Sequence, residues 1–430
     1  MQNHTRVMLR GAMELPGDKS ISHRAVMLGS IAGGRTEIQG FLPGEDCLST
    51  IRCFRAMGTK ITQEGTRVTV QGRGLHGLKA PSAPLDCGNS GTTMRLLSGI
   101  LAAQSFSSVL TGDSSLRTRP MGRIMRPLRE MGAEIQSLAG SDTAPLRISG
   151  GRLSGIHYLS PVASAQLKSA VLLAGLYADS PSSVTEPSLS RDHSERMLRH
   201  FGAKLHSSTD SEGRPVITIE PAEALHAAQI SVPGDLSSAA YFIVAALLLP
   251  GSELRINKVG VNPTRSGILE VAEAMGGSIE VLSHTDHDAE PTADLLIRAS
   301  RLHGTEIGGA LIPRLIDELP VIAAMACQAE GRTVIRDAAE LKLKESNRIR
   351  VMTEELQKLG AAVTETTDGM IIEGGHPLHG ASIASHKDHR IAMSFAVLSL
   401  LADGPVHISD PDCVNISMPD FYERLRSVCR

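Results

Sequence analysis

Two patterns of apolar and polar positions alternate along the chain. In the first, an amphipathic helical run stops at a glycine and passes into a short strand, as in "IRCFRAMGTKI", "IMRPLREMGAEI", "ERMLRHFGAKL", "LEVAEAMGGSI" and "TEELQKLGAAV". The glycines are Gly58, Gly132, Gly202, Gly276 and Gly360, spaced 74, 70, 74 and 84 residues apart. A glycine after a helix supplies the left-handed cap that lets the chain turn back. A last run, "FYERLRSVC", falls where a sixth copy belongs. In the second pattern a polar, often charged start leads into a helix apolar on most sides. Its copies begin near "PGDKSISHRAVMLGSIAGG", "CGNSGTTMRLLSGILAA", "PVASAQLKSAVLLAGL", "VPGDLSSAAYFIVAALL", "IDELPVIAAMACQAEG" and "HKDHRIAMSFAVLSLLADG". The first and fourth share a Pro-Gly-Asp turn and a serine, which suggests three units duplicated to make six. Helices apolar all round are buried within their domain. Runs such as "RVTVQG" and "SVLTG" alternate and predict strands with one exposed face. The expected fold is α+β, with six βαβαββ-type units in two similar lobes of three. Buried parallel helices would aim their N-termini one way within each lobe, and those ends make a ready anion site. The ligand is expected in the cleft between the lobes.

Bulk properties narrow the classes. A chain of 430 residues is too long for one ordinary core. Aromatics are only 3%, with no Trp, and the formal net charge is −3, so neither a base-stacking platform nor a basic coating for nucleic acid is expected. Anion binding must then come from local clusters. No apolar run is long enough for a membrane span, and the N-terminal stretch lacks the pattern of a signal peptide. Cys47, Cys53, Cys87, Cys327, Cys413 and Cys429 form no C-x-x-C pair and lie near no histidine at ligand spacing. Free thiols in a reducing cytoplasm and no metal are the expectation.

The unusual polar residues gather at the starts of the apolar helices. Lys19, Ser20 and Arg24 open the first. Gly88 to Arg95, with Asn89 and Gly91, opens the second, and its small residues leave backbone N–H groups open to an anion. Ser164, Ala165 and Gln166 open the third, Asp317 and Glu318 the fifth, and Lys387 and Arg390 the sixth. The fourth, "PGDLSSA", has the turn but no cation and reads as structural. A helix-start Asp or Ser is commonly only a cap, and charge runs such as "RTRPMGR" or "KLKESNRIR" are commonly solvated faces. Five of six equivalent positions carrying groups suited to anions or protons favours the functional reading. "GRGLHG" mimics a dinucleotide fingerprint but is followed by "LKAPSAP" rather than a helix, and no P-loop run is present.

"LPGDKSISHRA", "GNSGTTMRLL", "RPMGRIMRPLREMGA", "SAQLKSAVLLAGL", "LKLKESNRI" and "DHRIAM" together resemble, in order along essentially the whole chain, the signatures of 5-enolpyruvylshikimate-3-phosphate synthases, one branch of the enolpyruvyl transferase fold. The resemblance implies a lobe closed by both chain ends, 1–14 plus 229–430, and a second lobe, 15–228. It implies transfer of the enolpyruvyl group of phosphoenolpyruvate to the 5-hydroxyl of shikimate 3-phosphate, with release of phosphate, by addition and elimination in aromatic amino-acid biosynthesis. It implies that Lys19, Ser20, Arg24, Ser164, Ala165, Gln166 and Arg191 bind shikimate 3-phosphate, with Asn89 and Lys344 also lining the site. Gly91, Arg119, Arg348 and Arg390 would hold phosphoenolpyruvate, with Lys19 shared; arginine forks suit carboxylate and phosphate oxygens. Asp317 would be the base or hydroxyl-orienting carboxylate, and Glu345 would protonate the methylene. No metal or organic cofactor is implied, and a monomer is expected. Most members carry an Asp where this chain has Asn347, and some carry a Lys where Ile416 stands. With Arg191, Glu318 and "SAQLK", this points to the second sequence class of the family, and the small Gly91 points to inhibition by glyphosate. The alternatives are the sister transferase acting on UDP-N-acetylglucosamine and a non-catalytic anion-binding relative.

Overall fold

The computed structural model describes residues 7–286 and 290–430, and these form two compact units. One holds residues 17–232 together with Glu290; the other holds residues 7–16, 233–286 and 291–430.

The first of these is three copies of one motif. Each copy has a four-stranded sheet with one parallel pair at an edge and an antiparallel hairpin at the other. In the opening copy Gly33–Gln39 pairs in parallel with Gln229–Ser231 and antiparallel with Arg67–Arg73, which pairs with Lys60–Glu64. Ser107–Thr111 and Ser182–Thr185 hold the corresponding central places in the second and third sheets. The alternation read from "RVTVQG" is observed: Val68 and Val70 are buried while Arg67 and Gln71 are exposed. The apolar helices Lys19–Ile31, Gly91–Leu101 and Ala165–Gly175 lie in the interior, as their composition requires.

Close approach of two of these helices depends on a missing side chain. A Cβ at Gly99 would sit 2.3 Å from the Ala170 carbonyl oxygen of the neighbouring helix. Gly99→Ala is therefore expected to cost about 1–3 kcal/mol of stability by overpacking, read as a lower urea midpoint at unchanged slope. An unmoved midpoint would contradict this packing.

The other unit has two such sheets, with Glu253–Gly260 and Arg332–Ile335 at their centres. Its third sheet keeps only the parallel pair Ser382–Ile383 with His407–Ile408. There the chain instead forms the turn Pro411–Ile416 and the helix Phe421–Val428. Phe421 packs edge-on against Tyr241 and Phe242 of the buried helix Leu236–Leu248. The remaining buried helices are Leu319–Ala326 and His389–Leu398.

All five glycines read as helix stops have φ between +85° and +99°, the left-handed region in which a Cβ is strained. The sixth amphipathic helix, Phe421–Val428, is followed by Cys429 and Arg430 rather than by a glycine. In each unit one edge strand comes from a distant part of the chain. Arg10–Glu14, just before the first buried helix, pairs with Glu253–Gly260. Gln229–Ser231, just before the fourth, pairs with Gly33–Gln39.

Candidate active site

In the 17–232 unit the first turns of the three buried helices meet, so their N-termini share one end. Asp18 caps the first helix, accepting from the Ile21 N–H at 2.9 Å; Ser90 caps the second and Ser164 the third. Gln166 Nε2 donates to Thr92 Oγ1 at 3.0 Å, joining the second and third starts. Arg24 joins the first and third: Nε donates to Ser194 Oγ at 2.7 Å, Nη2 to Ser169 Oγ at 3.0 Å and Nη1 to the Ser20 carbonyl at 3.0 Å. Burial pushes its guanidinium down to about 10, against the pull of Glu195 and Asp18 and with Arg191 adding to the push. It stays cationic at neutral pH. Lys19 Nζ lies 3.2 Å from Asp46 Oδ2. His23, on the same helix, is held well below its ordinary value by burial and by the charges of Lys19 and Arg24, so it is neutral. Its Nδ1 is 2.7 Å from Thr50 Oγ1, which is 2.7 Å from Thr93 Oγ1, tying the first start to the second.

At the second start Asn89 is an organiser. Its Oδ1 accepts from Arg119 Nη2 at 2.7 Å and its Nδ2 donates to Asp113 at 2.8 Å. Gly91 opens the helix, and a Cβ there would meet Arg95 Nη1 at 2.7 Å. Arg95 in turn donates to Gln166 Oε1 at 2.7 Å.

In the other unit a second cluster forms around Asp317, just before the helix Leu319–Ala326. Lys344 Nζ and Arg348 Nη1 each lie 3.5 Å from Asp317 Oδ1, and Arg390 Nη2 lies 3.9 Å from Oδ2. Arg348 is 1% exposed. It donates to both oxygens of the fully buried Asp388, at 2.8 and 3.1 Å, and to Glu345 Oε2 at 2.5 Å. Burial opposes its charge, but Asp388 and Glu345 outweigh burial and raise its pKa. Asp388 also caps the helix His389–Leu398 through the Arg390 N–H at 3.0 Å. Arg390 is buried too; Asp317, Tyr241 and Glu318 outweigh that burial and raise its pKa. Its guanidinium reaches Asp317 and Glu318 only at 3.9 and 4.0 Å, beyond hydrogen-bond range, which leaves its donors available to an anion. Asn347 accepts from the Arg350 N–H at 3.3 Å as a helix cap, a role an Asp fills equally well.

The expected residues thus fall into two sets. Lys19, Ser20, Arg24, Asn89, Gly91, Arg119, Ser164, Ala165, Gln166 and Arg191 belong to one unit. Asp317, Lys344, Glu345, Arg348 and Arg390 belong to the other. One expectation is corrected: the fourth helix start does have a cation. Arg265, from thirty residues downstream, donates to Asp235 Oδ1 at 2.9 Å and also to Ser237, which donates to Glu318. Nothing in "NPTRSG" marks that arginine. Asp388 was visible in "KDHR" only as a cap, and Arg95 only as the end of a small-residue run.

Comparison with known proteins agrees with these features. The family model described as EPSP synthase (3-phosphoshikimate 1-carboxyvinyltransferase) matches residues 4–425. A 3-phosphoshikimate 1-carboxyvinyltransferase of Geobacter sulfurreducens is 54% identical over 428 residues, covering 100% of this chain and 99% of the relative. One from Brevibacillus brevis is 54% identical and covers 97% of each chain. A solved EPSP synthase from Acinetobacter baumannii superposes with a TM-score of 0.87 at 46% identity, over 98% of this chain and 96% of that one. The enolpyruvyl transferase NikO of Streptomyces tendae, at 18% identity, TM-score 0.79 and coverage of 98% and 96%, shares the fold. With a match of this length and identity, the chain belongs to the EPSP synthase family.

Proposed function

We propose that both cationic clusters serve one reaction, transfer of the enolpyruvyl group of phosphoenolpyruvate to the 5-hydroxyl of shikimate 3-phosphate with release of phosphate. The observation that carries this is Asp317, ringed by Lys344, Arg348 and Arg390 beside Glu345, in a chain of this family. Asp317 orients the hydroxyl and takes its proton as oxygen bonds to the enol carbon. Glu345 delivers a proton to the methylene, making a methyl group. The C–O bond to phosphate then breaks, and the methyl group returns one proton as the double bond re-forms. Arg119, Arg348, Arg390 and Lys19 hold the phosphate and carboxylate of phosphoenolpyruvate and stabilise the charge that develops. Ser20, Arg24, Ser164, Ala165, Gln166 and Arg191 hold shikimate 3-phosphate.

A coupled assay for phosphate release tests the reading. Turnover is expected with shikimate 3-phosphate and phosphoenolpyruvate; release only with UDP-N-acetylglucosamine supports the sister activity, and tight binding without release a non-catalytic relative. The 54% identity to the Geobacter enzyme favours the first outcome. Both clusters come from one chain, so a monomer is sufficient. No helix of the described residues is long and apolar enough to cross a membrane. The six free thiols suit a reducing cytoplasm, the location we propose.

Gly91 sets the room beside phosphoenolpyruvate, and we propose that glyphosate competes there. Gly91→Ala pushes on Arg95 Nη1 and crowds Arg119 Nη1, 3.7 Å from the new Cβ, which this reading assigns to phosphoenolpyruvate. Loss of one charge-assisted hydrogen bond is worth about 1.5–3 kcal/mol, so the KM for phosphoenolpyruvate is expected to rise about tenfold or more. Glyphosate inhibition should weaken alongside. Unchanged turnover of the native chain in millimolar glyphosate would sink the inhibitor assignment.

A further inference from the structure

Lys168 is the one lysine buried at the heart of the 17–232 unit. It is 1% exposed, and each of its donors has an acceptor: Glu186 Oε2 at 2.8 Å, Glu195 Oε1 at 2.7 Å and the Ser190 carbonyl at 3.2 Å. Nothing in the proposed chemistry uses it directly. Its two carboxylate partners lead outward to the residues assigned to shikimate 3-phosphate. Glu186 accepts from the Ser164 N–H at 3.0 Å, from Ser190 Oγ at 2.6 Å and from the Ser190 N–H at 3.3 Å. It therefore clamps the start of the third buried helix to the segment that carries Arg191. Glu195 follows Ser194, whose hydroxyl accepts from Arg24 Nε and lies 2.6 Å from Ser169 Oγ. Ser169 Oγ accepts from Arg24 Nη2 and donates to the Ala165 carbonyl at 2.5 Å. All three nitrogens of Arg24 are thereby fixed within the protein.

The charges explain why a lysine stands here. Two buried carboxylates beside one ammonium leave the cluster negative, and Glu195 Oε2 has no hydrogen-bond partner. Burial pushes Glu195 up, and Lys168 pulls it back. Without the ammonium, the facing carboxylates would lose their common anchor and Glu186 would be released from the Ser164 amide.

Resting on the functional reading above, we propose that Lys168 is a positioning residue: through Glu186 and Glu195 it holds Ser164, Ser190–Arg191 and Ser194–Arg24 as one rim for the phosphate of the cyclic acceptor substrate. It acts on one substrate and not the other. A residue that only stabilised the core would lower the amount of folded enzyme without separating the two substrates.

The test uses the full chain with shikimate 3-phosphate and phosphoenolpyruvate. Lys168→Met is expected to raise the KM for shikimate 3-phosphate about tenfold or more. At saturating shikimate 3-phosphate, kcat and the KM for phosphoenolpyruvate are expected to stay within about twofold. A parallel rise in both KM values, or a fall in kcat alone, overturns the proposal. Lys168→Met/Glu195→Gln removes one charge of each sign and keeps the net charge of the cluster, so it decides the case if the single variant does not fold. Positioning predicts the same selective KM rise in the double variant. Native KM values in it, or failure to fold, make Lys168 a structural lysine and overturn the proposal. The native chain is the control: if it does not release phosphate, the functional reading fails. Turnover by the native chain with an unmoved KM in the variants sinks the Lys168 proposal alone.

Discussion

Asp317→Asn is expected to lower kcat about 10²- to 10⁴-fold, the range lost when a positioned general base is removed. That corresponds to about 3–5 kcal/mol of barrier. The amide keeps the size and one hydrogen-bond acceptor, so the acceptor hydroxyl can still be oriented but not deprotonated. It also removes the negative charge that Lys344, Arg348 and Arg390 share. Phosphoenolpyruvate, itself an anion, should then bind at least as well as before. Steady-state phosphate release with equilibrium binding of each substrate separates the two effects. A kcat within tenfold of the native value would remove Asp317 from the chemistry.

The largest effect on stability is expected from Arg348→Met. It leaves Asp388, fully buried, without the two bonds that balance its charge. Removing one partner of a buried pair typically costs about 3–5 kcal/mol. At about 2–4 °C per kcal/mol for a unit of this size, Tm should fall by roughly 6–20 °C. Replacing Asp388 by Asn in the same chain should recover part of that loss, since no uncompensated charge remains. A Tm within 2–3 °C of native, roughly 1 kcal/mol for a unit of this size, would show that the pair is not what holds this helix start. The pair also has a pH signature. Burial pushes Asp388 up, but Arg348 outweighs burial and holds it below an ordinary carboxylate. The unfolded chain therefore takes up that proton first. The stabilisation is complete above about pH 4 and drains away as pH falls through the native value.

Much of the fold was legible because it is repeated. A glycine after one amphipathic helix is a weak signal; five at nearly constant spacing, each found at positive φ, are a strong one. The apolar helices announced their burial by lacking a polar face, and their charged starts announced the candidate site. What was not legible is partnership across the sequence. Arg265 balances a helix start thirty residues before it, and Glu186 grips an amide twenty-two residues before it. Such pairs have no period and no local composition, because tertiary folding alone brings them together. Asn89 illustrates a finer miss. Its position was evident, but its amide is spent on Arg119 and Asp113, so its influence on a ligand passes through that arginine.

The sequence-distant edge strands bear on how the polypeptide matures on the ribosome. The sheet that begins at Gly33 cannot gain its parallel border until residue 231 has been made, although its other strands are complete by residue 73. The segment Arg10–Glu14 has no partner until Glu253–Gly260 appears. Two open borders therefore coexist for most of synthesis, each a template for stray pairing with another nascent chain. Severing the polypeptide at either crossing would make that transient exposure permanent.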